Sequence, residues 1–227
     1  MEIIGTSKKT SVKGLSHRVH EVRPLSSTAY VLRMERGGLE FEPGQYVNVG
    51  PHDSIAMREY SIYSGKDDDF LEVLIKEVEG GLVSRALKGC RPGDSVSVEG
   101  PFGFFVTDSD ERAHASYLFI ASGTGISPFH CLVRSYPGMD YRLLHGVRTL
   151  SERYEREAFD GARYVSCVSR DVGGDFSGRA TQYLREHPAD PASLCYLCGN
   201  CDMIYEAFDI LRSQGVPGSH LFAEVYF

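Results

Sequence analysis

A glycine-rich turn is the first segment of this sequence whose residue types could bind a charged ligand. Residues 121–128 read ASGTGISP, after the apolar run SYLFIAS at 116–122 and before a predicted helix near 128–136. In a parallel sheet, ligands bind at the carboxyl ends of the strands, where a glycine turn lets backbone N–H groups approach a phosphate. The pattern is GxGxxP rather than GxGxxG, so by itself it leaves open a tight turn that binds nothing.

Two further segments combine residue types that suit a nucleotide. REYS at 58–61 lies on a predicted strand, where its arginine could bind phosphate, its tyrosine could cover a planar ring and its serine could donate a hydrogen bond. An edge strand with a surface arginine would show the same four residues. The segment GGLVS at 80–84 also allows two interpretations, because it could be only a turn into a helix.

Three cysteines follow a CxxCxxC spacing, which begins an iron–sulfur ligand run: Cys195, Cys198 and Cys201. A fourth cysteine followed by proline is absent from the run, and Cys195 and Cys198 fall inside a predicted strand, where they would face opposite sides of the sheet. Buried core cysteines explain this pattern better, so we predict no metal site. The remaining cysteines are small core candidates without a partner motif: Cys90, Cys131 and Cys167.

The elements that must position these residues differ between the two halves of the chain. The first hundred residues hold short β-branched and aromatic segments separated by turn sequences such as PG at 43–44 and PGD at 92–94. The predicted strands span residues 18–25, 29–35, 45–50, 58–64, 70–78 and 95–100. Six strands without a long helical pattern predict an antiparallel barrel or sandwich, with only a short helix at 85–88.

In the second half, apolar strands alternate with helical patterns. The predicted strands span 116–122, 141–147, 162–169, 193–199 and 221–227, and the predicted helices lie near 128–136 and at 151–159, 181–187 and 201–215. This alternation predicts βαβ units and a parallel sheet. The polar segment 107–115 separates the halves, so we expect one domain over 1–108 and a second over 114–227.

Composition narrows the possible classes of function. The chain has 227 residues, 42% of them hydrophobic, which is enough to bury a core. A net charge of −7 without a long basic run argues against nucleic acid as a partner, and no run approaches the roughly 18 apolar residues that span a bilayer. The N-terminal residues lack the apolar stretch of a signal peptide, and six cysteines late in the chain fit a reducing cytosol. We expect a cytoplasmic monomer.

Taken in chain order, these and other segments resemble one family. The ferredoxin–NADP⁺ reductase family is similar over nearly the whole chain, at FEPGQYV (41–47), REYSIYS (58–64), IKEVEGGLVSRAL (75–87), PGDSVSVEGPFGFF (92–105), ASGTGISPF (121–129), VSR (168–170), CGNCDM (198–203) and AEVYF (223–227). Short linkers and an aromatic tail beyond the tyrosine resemble its compact bacterial branch. The resemblance implies a two-domain β plus α/β fold, in which a six-stranded antiparallel FAD-binding β-barrel precedes a Rossmann-like parallel-sheet domain that binds NADP(H).

The resemblance also implies a flavin site, residue by residue. Arg58 would hold the FAD pyrophosphate, Tyr60 would lie against the isoalloxazine and Ser61 would reach the ring near N5. Backbone groups beside the ring and a phosphate cradle at a helix start would complete the site. These further cofactor-binding residues are Ile75, Lys76, Gly81, Leu82 and Ser84.

For the nicotinamide coenzyme, the resemblance implies two groups of residues. The dinucleotide pyrophosphate would bind to Gly123, Thr124 and Gly125. Arginines after the predicted strands would bind the 2′-phosphate and the adenosine side, since ligands lie at the carboxyl ends of parallel strands. Without a ligand these would be solvated surface arginines. The residues are Arg148, Ser169, Arg170 and Arg179, with Arg170 and Arg179 on the phosphate.

The catalytic group that the resemblance implies comes from distant parts of the chain. Cys198 and Glu224 would lie beside the nicotinamide, and Tyr226 would stack on the flavin, together with Ser61 near N5. Glu224 and Tyr226 would share a face of the last strand. Phe227 would reach the adenine of FAD.

The implied activity is an FAD-dependent oxidoreductase that exchanges electrons between NADP(H) and a one-electron carrier, ferredoxin or flavodoxin. The reductase component of an oxygenase system is an alternative, which the lack of a cysteine-bearing iron–sulfur domain disfavours. For the same reason we expect the electron acceptor to be a separate molecule or a soluble oxidant. A non-catalytic flavin-binding subunit is another, which would not need Ser61, Cys198 and Glu224 together. The charge of −7 suits an acidic carrier poorly, so a local basic face would have to form, using Lys8, Lys9, Lys13 or Arg18.

Overall fold

An antiparallel sheet of six strands occupies the first part of the chain in the computed structural model, which describes residues 15–110, 112 and 114–226. The strands are β1 (Leu15–Pro24), β2 (Ala29–Glu35), β3 (Tyr46–Pro51), β4 (Arg58–Ser61), β5 (Phe70–Lys76) and β6 (Ser95–Phe102). Their order across the sheet is β4-β3-β6-β1-β2-β5. An antiparallel bridge between Ile62 and Val73 joins the two edges, so the sheet closes as a barrel.

Period-2 alternation decides which barrel side chains are buried. On β3, Val47 and Val49 are fully buried while Asn48 between them is only half buried, and Val96 and Val98 on β6 are buried in the same core. The short helix α1 (Leu82–Lys88) follows the GG turn and packs Val83 and Leu87 into this core. The exposed face of β3 and β4 is thereby left to line a surface.

Six parallel strands form the second sheet. They are β7 (Ser116–Ser122), β8 (Asp140–Val147), β9 (Tyr164–Val168), β10 (Phe176–Ser177), β11 (Leu194–Asn200) and β12 (Leu221–Tyr226), in the order β10-β9-β8-β7-β11-β12. The helices between them are α2 (Ser127–Ser135), α3 (Ala180–Glu186) and α4 (Cys201–Ser213). The chain proceeds outward from β7 to β10 and then returns to β11 on the other side, so a switch point lies between β7 and β11.

The parallel sheet is covered on both faces. Tyr117 and Phe119 of β7 pack on the side of α2 and the barrel, whereas Leu118 and Ile120 pack on the side of α3 and α4. Phe105, which follows the last barrel strand, lies 5.2 Å from the ring of Tyr196 in β11. One apolar cluster therefore joins the barrel to the α/β half, beside a separate core in each. The domain limits 1–108 and 114–227 stay predictions.

Most of the predicted elements are confirmed, but one helix is wrong. Residues 151–159 form two short 3₁₀ turns, Leu150–Glu152 and Arg156–Ala158, separated by Glu155 at a φ of +45°. The Glu155 carboxylate pairs with Arg23 of β1, which lies in the barrel. A tertiary ion pair thus holds a conformation that local helix propensity disfavours.

Smaller differences have local causes. The predicted strand 58–64 ends at Ser61, apart from the bridge at Ile62, and the two-residue strand β10 was too short to detect from its pattern. Cys195 and Cys198 face opposite sides of the sheet as predicted, and all six cysteines are free thiols. Within the described residues, no three His, Cys, Asp or Glu side chains gather as a metal site would require, and no helix is long and apolar enough to cross a membrane.

Candidate active site

A cleft of about 1610 Å³ opens between the barrel and the carboxyl ends of the parallel strands. One wall consists of β3, β4 and the start of α1, and the other consists of the loops after β7, β8, β9 and β11 together with the end of β12. Pockets for small ligands usually measure about 300–1000 Å³. The cleft is therefore large enough for ligands of nucleotide size from both sides.

The barrel wall offers an arginine, an aromatic ring and free backbone donors. Arg58 is exposed and Tyr60 is half buried two residues further along β4, so both lie on one face of the strand. Burial raises the pKa of Tyr60 to about 12, which keeps the phenol protonated. The N-cap residue of α1 is Gly81, which has no side chain to cap the first N–H groups of the helix. A guanidinium and such N–H groups together favour a phosphate.

Gly81 also allows a close contact within this wall. A Cβ atom at Gly81 would lie 2.8 Å from Oγ of Ser84, which accepts a hydrogen bond from the N–H of Val78 at 3.3 Å. Ser84 is buried, whereas Leu82 is exposed on the cleft wall, as is Lys76 at the end of β5. The glycine at position 81 therefore allows the turn to pack against Ser84 and leaves the first N–H groups of α1 accessible from the cleft.

Ser61, Glu224 and Tyr226 are joined by hydrogen bonds between the two walls. The hydroxyl of Tyr226 donates to Oγ of Ser61 at 2.6 Å, and the hydroxyl of Ser61 donates to Oε2 of Glu224 at 2.8 Å. Ser61 is 2% exposed, while Glu224 and Tyr226 are half buried, two residues apart on β12. A proton held in the cleft thus has a hydrogen-bonded path to a carboxylate.

Burial governs the protonation of this group. Desolvation raises the pKa of Glu224 above its ordinary value, although the hydrogen bond from Ser61 acts in the opposite direction. Desolvation also raises the pKa of Tyr226 and of Cys198 well above their ordinary values, and the charge of Glu224 adds to both effects. Cys198 is therefore a protonated thiol next to Tyr226 and not a nucleophile.

Glycines let the turn after β7 pack against the end of β11. A Cβ atom at Gly125 would lie 2.3 Å from the carbonyl oxygen of Cys198, and one at Gly199 would lie 2.4 Å from Oγ of Ser122. Gly123 has a φ of +54° and lines the cleft beside Thr124. The two glycines of the GxG pattern thus differ, since one faces the cleft and the other permits packing.

The α/β wall carries three exposed arginines. Ser169 and Arg170 follow β9, and the N–H of Arg170 donates to the carbonyl of Arg148 after β8 at 2.8 Å, which ties the two loops together. Arg179 is the N-cap residue of α3. All three guanidinium groups are exposed, and among the described residues none of them forms an ion pair. The carboxylates of Glu152, Asp202 and Glu206 line the same wall, so the arginines offer an anion a local site rather than a uniformly positive surface.

The cleft does not contain every residue that the sequence singled out. Ile75 and Cys198 are fully buried and Gly125 packs on β11, so these three contribute no side chain to the cleft wall. Ile75 could contribute only backbone atoms, and its neighbours Leu74 and Lys76 on β5 do line the cleft. Arg18 is exposed on β1. The following residues lie outside the part of the chain that the structure describes: Phe227, Lys8, Lys9 and Lys13.

The structure adds residues that the sequence did not indicate. Tyr46 and Asn48 of β3 line the cleft, and Asn200 caps α4 by accepting from the N–H of Met203. His145 is fully buried behind the glycine turn and contacts the carbonyl of Gly123 at 2.8 Å. The FEPGQYV segment contained a signal for Tyr46, but nothing local to His145 indicated its contact.

Comparison with known proteins identifies relatives of the whole chain. Residues 17–107 match the family model described as "Oxidoreductase FAD-binding domain". The toluate 1,2-dioxygenase electron transfer component of Pseudomonas putida is 32% identical, over 96% of this chain and 69% of that protein. Ferredoxin–NADP reductase B of Sorangium cellulosum is 31% identical, over 92% of this chain and 96% of that protein.

Solved structures share the fold. A ferredoxin NADP⁺ reductase from Neisseria gonorrhoeae, with bound FAD and NADP, superimposes with a TM-score of 0.84 at 20% identity, covering 96% of this chain and 100% of that one. The Amycolatopsis cytochrome P450 reductase GcoB superimposes with a TM-score of 0.83 at 24% identity, covering 94% of this chain and 69% of that one. The relatives and the fold indicate the same family. The chain belongs to the ferredoxin–NADP⁺ reductase family and is an FAD-dependent reductase of that family.

Proposed function

We propose that this protein is an NADP(H)-dependent reductase that delivers electrons to a one-electron carrier protein, ferredoxin or flavodoxin. The observation that carries the proposal is the cleft shared by the barrel and the parallel sheet. One wall holds an aromatic ring and the hydrogen-bonded group of Ser61, Glu224 and Tyr226, and the other holds exposed arginines. This supports two nucleotide ligands meeting in one site.

FAD suits the barrel wall because of the donor set there. Arg58 and the start of α1 would hold its diphosphate, Tyr60 would lie beside its ring and the backbone at Ile75 and Lys76 would flank the ring. When bound, FAD accepts two electrons from NADPH and releases them singly, which is what a one-electron carrier requires. The role of the protein is to align the flavin and nicotinamide rings and to exclude water from between them.

Ser61, Glu224 and Tyr226 would manage protons at that alignment. The hydroxyl of Ser61 is held in place from both sides, because Tyr226 donates to it and Glu224 accepts from it. A half-buried carboxylate with a raised pKa takes up a proton closer to neutral pH than an ordinary glutamate does. Cys198 would contribute a neutral, packed thiol beneath this group rather than a charge.

NADP(H) rather than NAD(H) is supported by the arginines of the α/β wall. Gly123 and Thr124 would face the diphosphate, while Arg170 and Arg179 would bind the 2′-phosphate beside Ser169, and Arg148 would support the adenosine. Each charge-assisted hydrogen bond of this kind contributes about 1.5–3 kcal/mol. A monomeric state and a cytoplasmic location stay predictions.

The test begins with the visible spectrum of the purified protein. We expect bound FAD, bleached by NADPH under anaerobic conditions and more slowly by NADH at equal concentration. The reduced protein is then mixed with ferredoxins and flavodoxins of the host, one at a time, and transfer is followed by absorbance. A colourless protein that does not take up FAD would contradict the proposal.

Substitution of Glu224 tests its proposed role within the reaction. Glu224→Gln keeps the size and the acceptor oxygen but removes the titratable proton, so we expect about tenfold slower electron delivery to the carrier with FAD still bound. Glu157→Gln, at an exposed glutamate outside the cleft, is the matched control and should change turnover little. Unchanged turnover in Glu224→Gln with both NADPH and carrier would count against the role.

A second candidate is the reductase component of an oxygenase system. It is favoured by the 32% identity to the toluate 1,2-dioxygenase electron transfer component, which covers 96% of this chain. Efficient reduction of an oxygenase component, with poor reduction of every ferredoxin and flavodoxin tested, would favour this candidate. Bound flavin that NADPH and NADH both fail to bleach would instead indicate a non-catalytic flavin-binding subunit.

A further inference from the structure

His145 lies at the back of the glycine turn and is not in contact with the cleft. It belongs to β8, is 0% exposed, and sits between Ala121 of β7 and Ser166 of β9 in the register of the sheet. Its Nε2 atom is 2.8 Å from the carbonyl oxygen of Gly123, and its Nδ1 atom is 2.7 Å from the hydroxyl of Tyr164. Both ring nitrogens are therefore engaged in a site without water access.

The hydrogen positions in this chain follow from its members. Desolvation lowers the pKa of His145 to about 4, so the ring is neutral and carries one N–H group at neutral pH. A carbonyl oxygen only accepts, so that N–H group must lie on Nε2 and point to Gly123. Nδ1 is then an acceptor, and the hydroxyl of Tyr164 must donate to it. One tautomer satisfies all three residues.

This hydrogen bond determines the orientation of a peptide group in the cleft wall. In a trans peptide the C=O and the N–H of the following residue point in opposite directions. Because the carbonyl of Gly123 points inward to His145, the N–H of Thr124 points away from the buried ring. That N–H lies in the first turn of the 3₁₀ helix Gly123–Ile126, where helical N–H groups have no acceptor within the helix.

Gly123 gains from such a constraint. Its φ of +54° is the left-handed conformation, and a Cβ atom there would meet no atom within 4 Å, so the backbone conformation and not close packing calls for glycine here. Glycine has more backbone conformations open to it than other residues do. The ring of His145, fixed between strands, therefore adds to the 3₁₀ helix in holding this peptide.

We propose that His145 is a positioning residue for the diphosphate of the nicotinamide coenzyme, and that it acts by holding the Gly123 carbonyl so that the Thr124 N–H faces the cleft. The inference rests on the proposed function, since it assumes that the coenzyme binds at this turn. His145 itself touches no ligand. Its effect should be confined to ligands that contain the diphosphate.

Two amide substitutions of the same chemistry separate this role from simple packing. The amide nitrogen of His145→Gln reaches as far as Nε2 and can still donate to Gly123, whereas that of His145→Asn reaches only as far as Nδ1. We expect His145→Asn to raise the Kd of NADP⁺ about tenfold, the effect of one hydrogen bond to a charged group, and to leave the Kd of adenosine 2′-monophosphate unchanged. His145→Gln should restore the NADP⁺ affinity to within about twofold of the wild type.

His130 provides the matched control. It is also buried, with a pKa lowered to about 4 by desolvation, but its Nδ1 contacts the carbonyl of Tyr63 at 2.7 Å, away from the glycine turn. His130→Asn should lower the stability to a similar extent while leaving the ratio of the two Kd values as in the wild type. A ratio that shifts equally in His130→Asn and His145→Asn would overturn the proposal.

The outcomes separate this inference from the proposed function. Wild-type protein that binds neither NADP⁺ nor adenosine 2′-monophosphate contradicts the proposed function. Wild-type protein that binds both, with His145→Asn raising both Kd values equally, contradicts only the role of His145. If the variants do not fold, NMR of the wild-type holoenzyme decides: the His145 ring should carry its proton on Nε2, and the Thr124 amide proton should shift downfield with NADP⁺ and not with adenosine 2′-monophosphate. A proton on Nδ1 of His145, or equal Thr124 shifts with both ligands, would overturn the proposal.

Discussion

Arginines lie at both contacts between the barrel and the α/β half, but their partners differ. We define the seam as Arg23, Arg33, Glu72, Glu155 and His130. There Arg23 pairs with Glu155 and with Glu72 at 3.3 Å, and Arg33 pairs with Glu72 at 2.9 Å. In the cleft, four exposed arginines form no ion pair with any described residue: Arg58, Arg148, Arg170 and Arg179.

This difference separates charges that hold the protein together from charges that are available to a ligand. Glu72 is 1% exposed, and a buried carboxylate is tolerated only when nearby cations and hydrogen bonds offset its desolvation. The arginines of the cleft are exposed and form no ion pair with any described carboxylate, so a phosphate can bind them without breaking a native ion pair. Substitutions in the seam should therefore change stability, and those in the cleft should change binding.

The largest expected effect is on the seam. Arg23→Met keeps much of the side-chain volume but leaves Glu72 and Glu155 with one cation fewer, so we expect the free energy of unfolding to fall by about 3 kcal/mol, because uncompensated buried charge costs about 3–5 kcal/mol and Arg23 is partly exposed. Urea unfolding measures the change. The matched control is Arg58→Met in the cleft, for which we expect a change within about 0.5 kcal/mol. Equal losses in both variants would contradict the distinction between seam and cleft.

The second effect is a loss of stability in acid. Burial lowers the pKa of His130 and of His145 from 6.5 to about 4, so between these values the unfolded chain binds protons that the folded chain does not. The stability that both residues contribute is full above pH 6.5 and decreases as the pH falls toward 4. From pH 7 to pH 5 we expect a loss on the order of 2 kcal/mol per histidine, measured by urea unfolding at each pH.

A variant identifies the source of that loss. His130→Gln cannot titrate, so the difference in unfolding free energy between pH 7 and pH 5 should shrink by about half. His20→Gln, at an exposed histidine of β1, is the control and should keep the wild-type difference. A pH dependence that is the same in all three proteins would contradict the assignment to buried histidines.

In the cleft, the largest effect is on coenzyme choice. Arg170→Ala removes one or two charge-assisted hydrogen bonds to a 2′-phosphate, each contributing about 1.5–3 kcal/mol, so the KM for NADPH should rise roughly 10- to 100-fold. The KM for NADH should hardly change, because NADH lacks that phosphate. Arg91→Ala, at an exposed arginine outside the cleft, is the control. Steady-state kinetics with both coenzymes that showed equal losses would exclude the assignment.

The smallest effect is expected at Tyr226. A ring that covers the flavin contributes about 0.5–1.5 kcal/mol and must be displaced by the nicotinamide, so Tyr226→Ser should lower the KM for NADH up to about tenfold. Tyr226→Phe keeps the ring and loses only the 2.6 Å hydrogen bond to Ser61, so it should retain the wild-type KM. If both variants behave as the wild type with NADH, then Tyr226 only packs.

We further predict that deletion of Phe227 weakens FAD retention without changing coenzyme preference.

The candidate site shows how far the sequence could be used on its own. The segments at 58–61, 80–84 and 121–128 were recognisable because each carries its chemistry within a few neighbouring residues. The group formed by Ser61, Glu224 and Tyr226 was expected only through the family resemblance, since Ser61 and Glu224 are 163 residues apart. The place of Cys198 beside the nicotinamide was likewise expected only through the resemblance and stays a prediction; its side chain is 0% exposed between β7 and β12.

The sequence by itself determined the two kinds of sheet in this protein. Alternation at period 2 with tight turns produces the antiparallel barrel, and continuous apolar strands alternating with helices produce the parallel sheet, because each pattern can bury its apolar face in only one of these ways. Such patterns are local, so one sequence is enough to recognise them. The glycine turn after β7 belongs to the same class of signal as a motif, since its glycines are neighbours along the chain, although its contacts with His145 and β11 come from the fold.

Only the tertiary structure decided where the charges go. Whether an arginine serves the seam or the cleft depends on which carboxylates the fold brings within about 4 Å, and Arg23 meets Glu155 across 132 positions of sequence. The same contact turns the predicted helix 151–159 into two 3₁₀ turns, and a contact between strands places His145 behind Gly123. These interactions act between residues that are distant in the chain, and no local propensity encodes them.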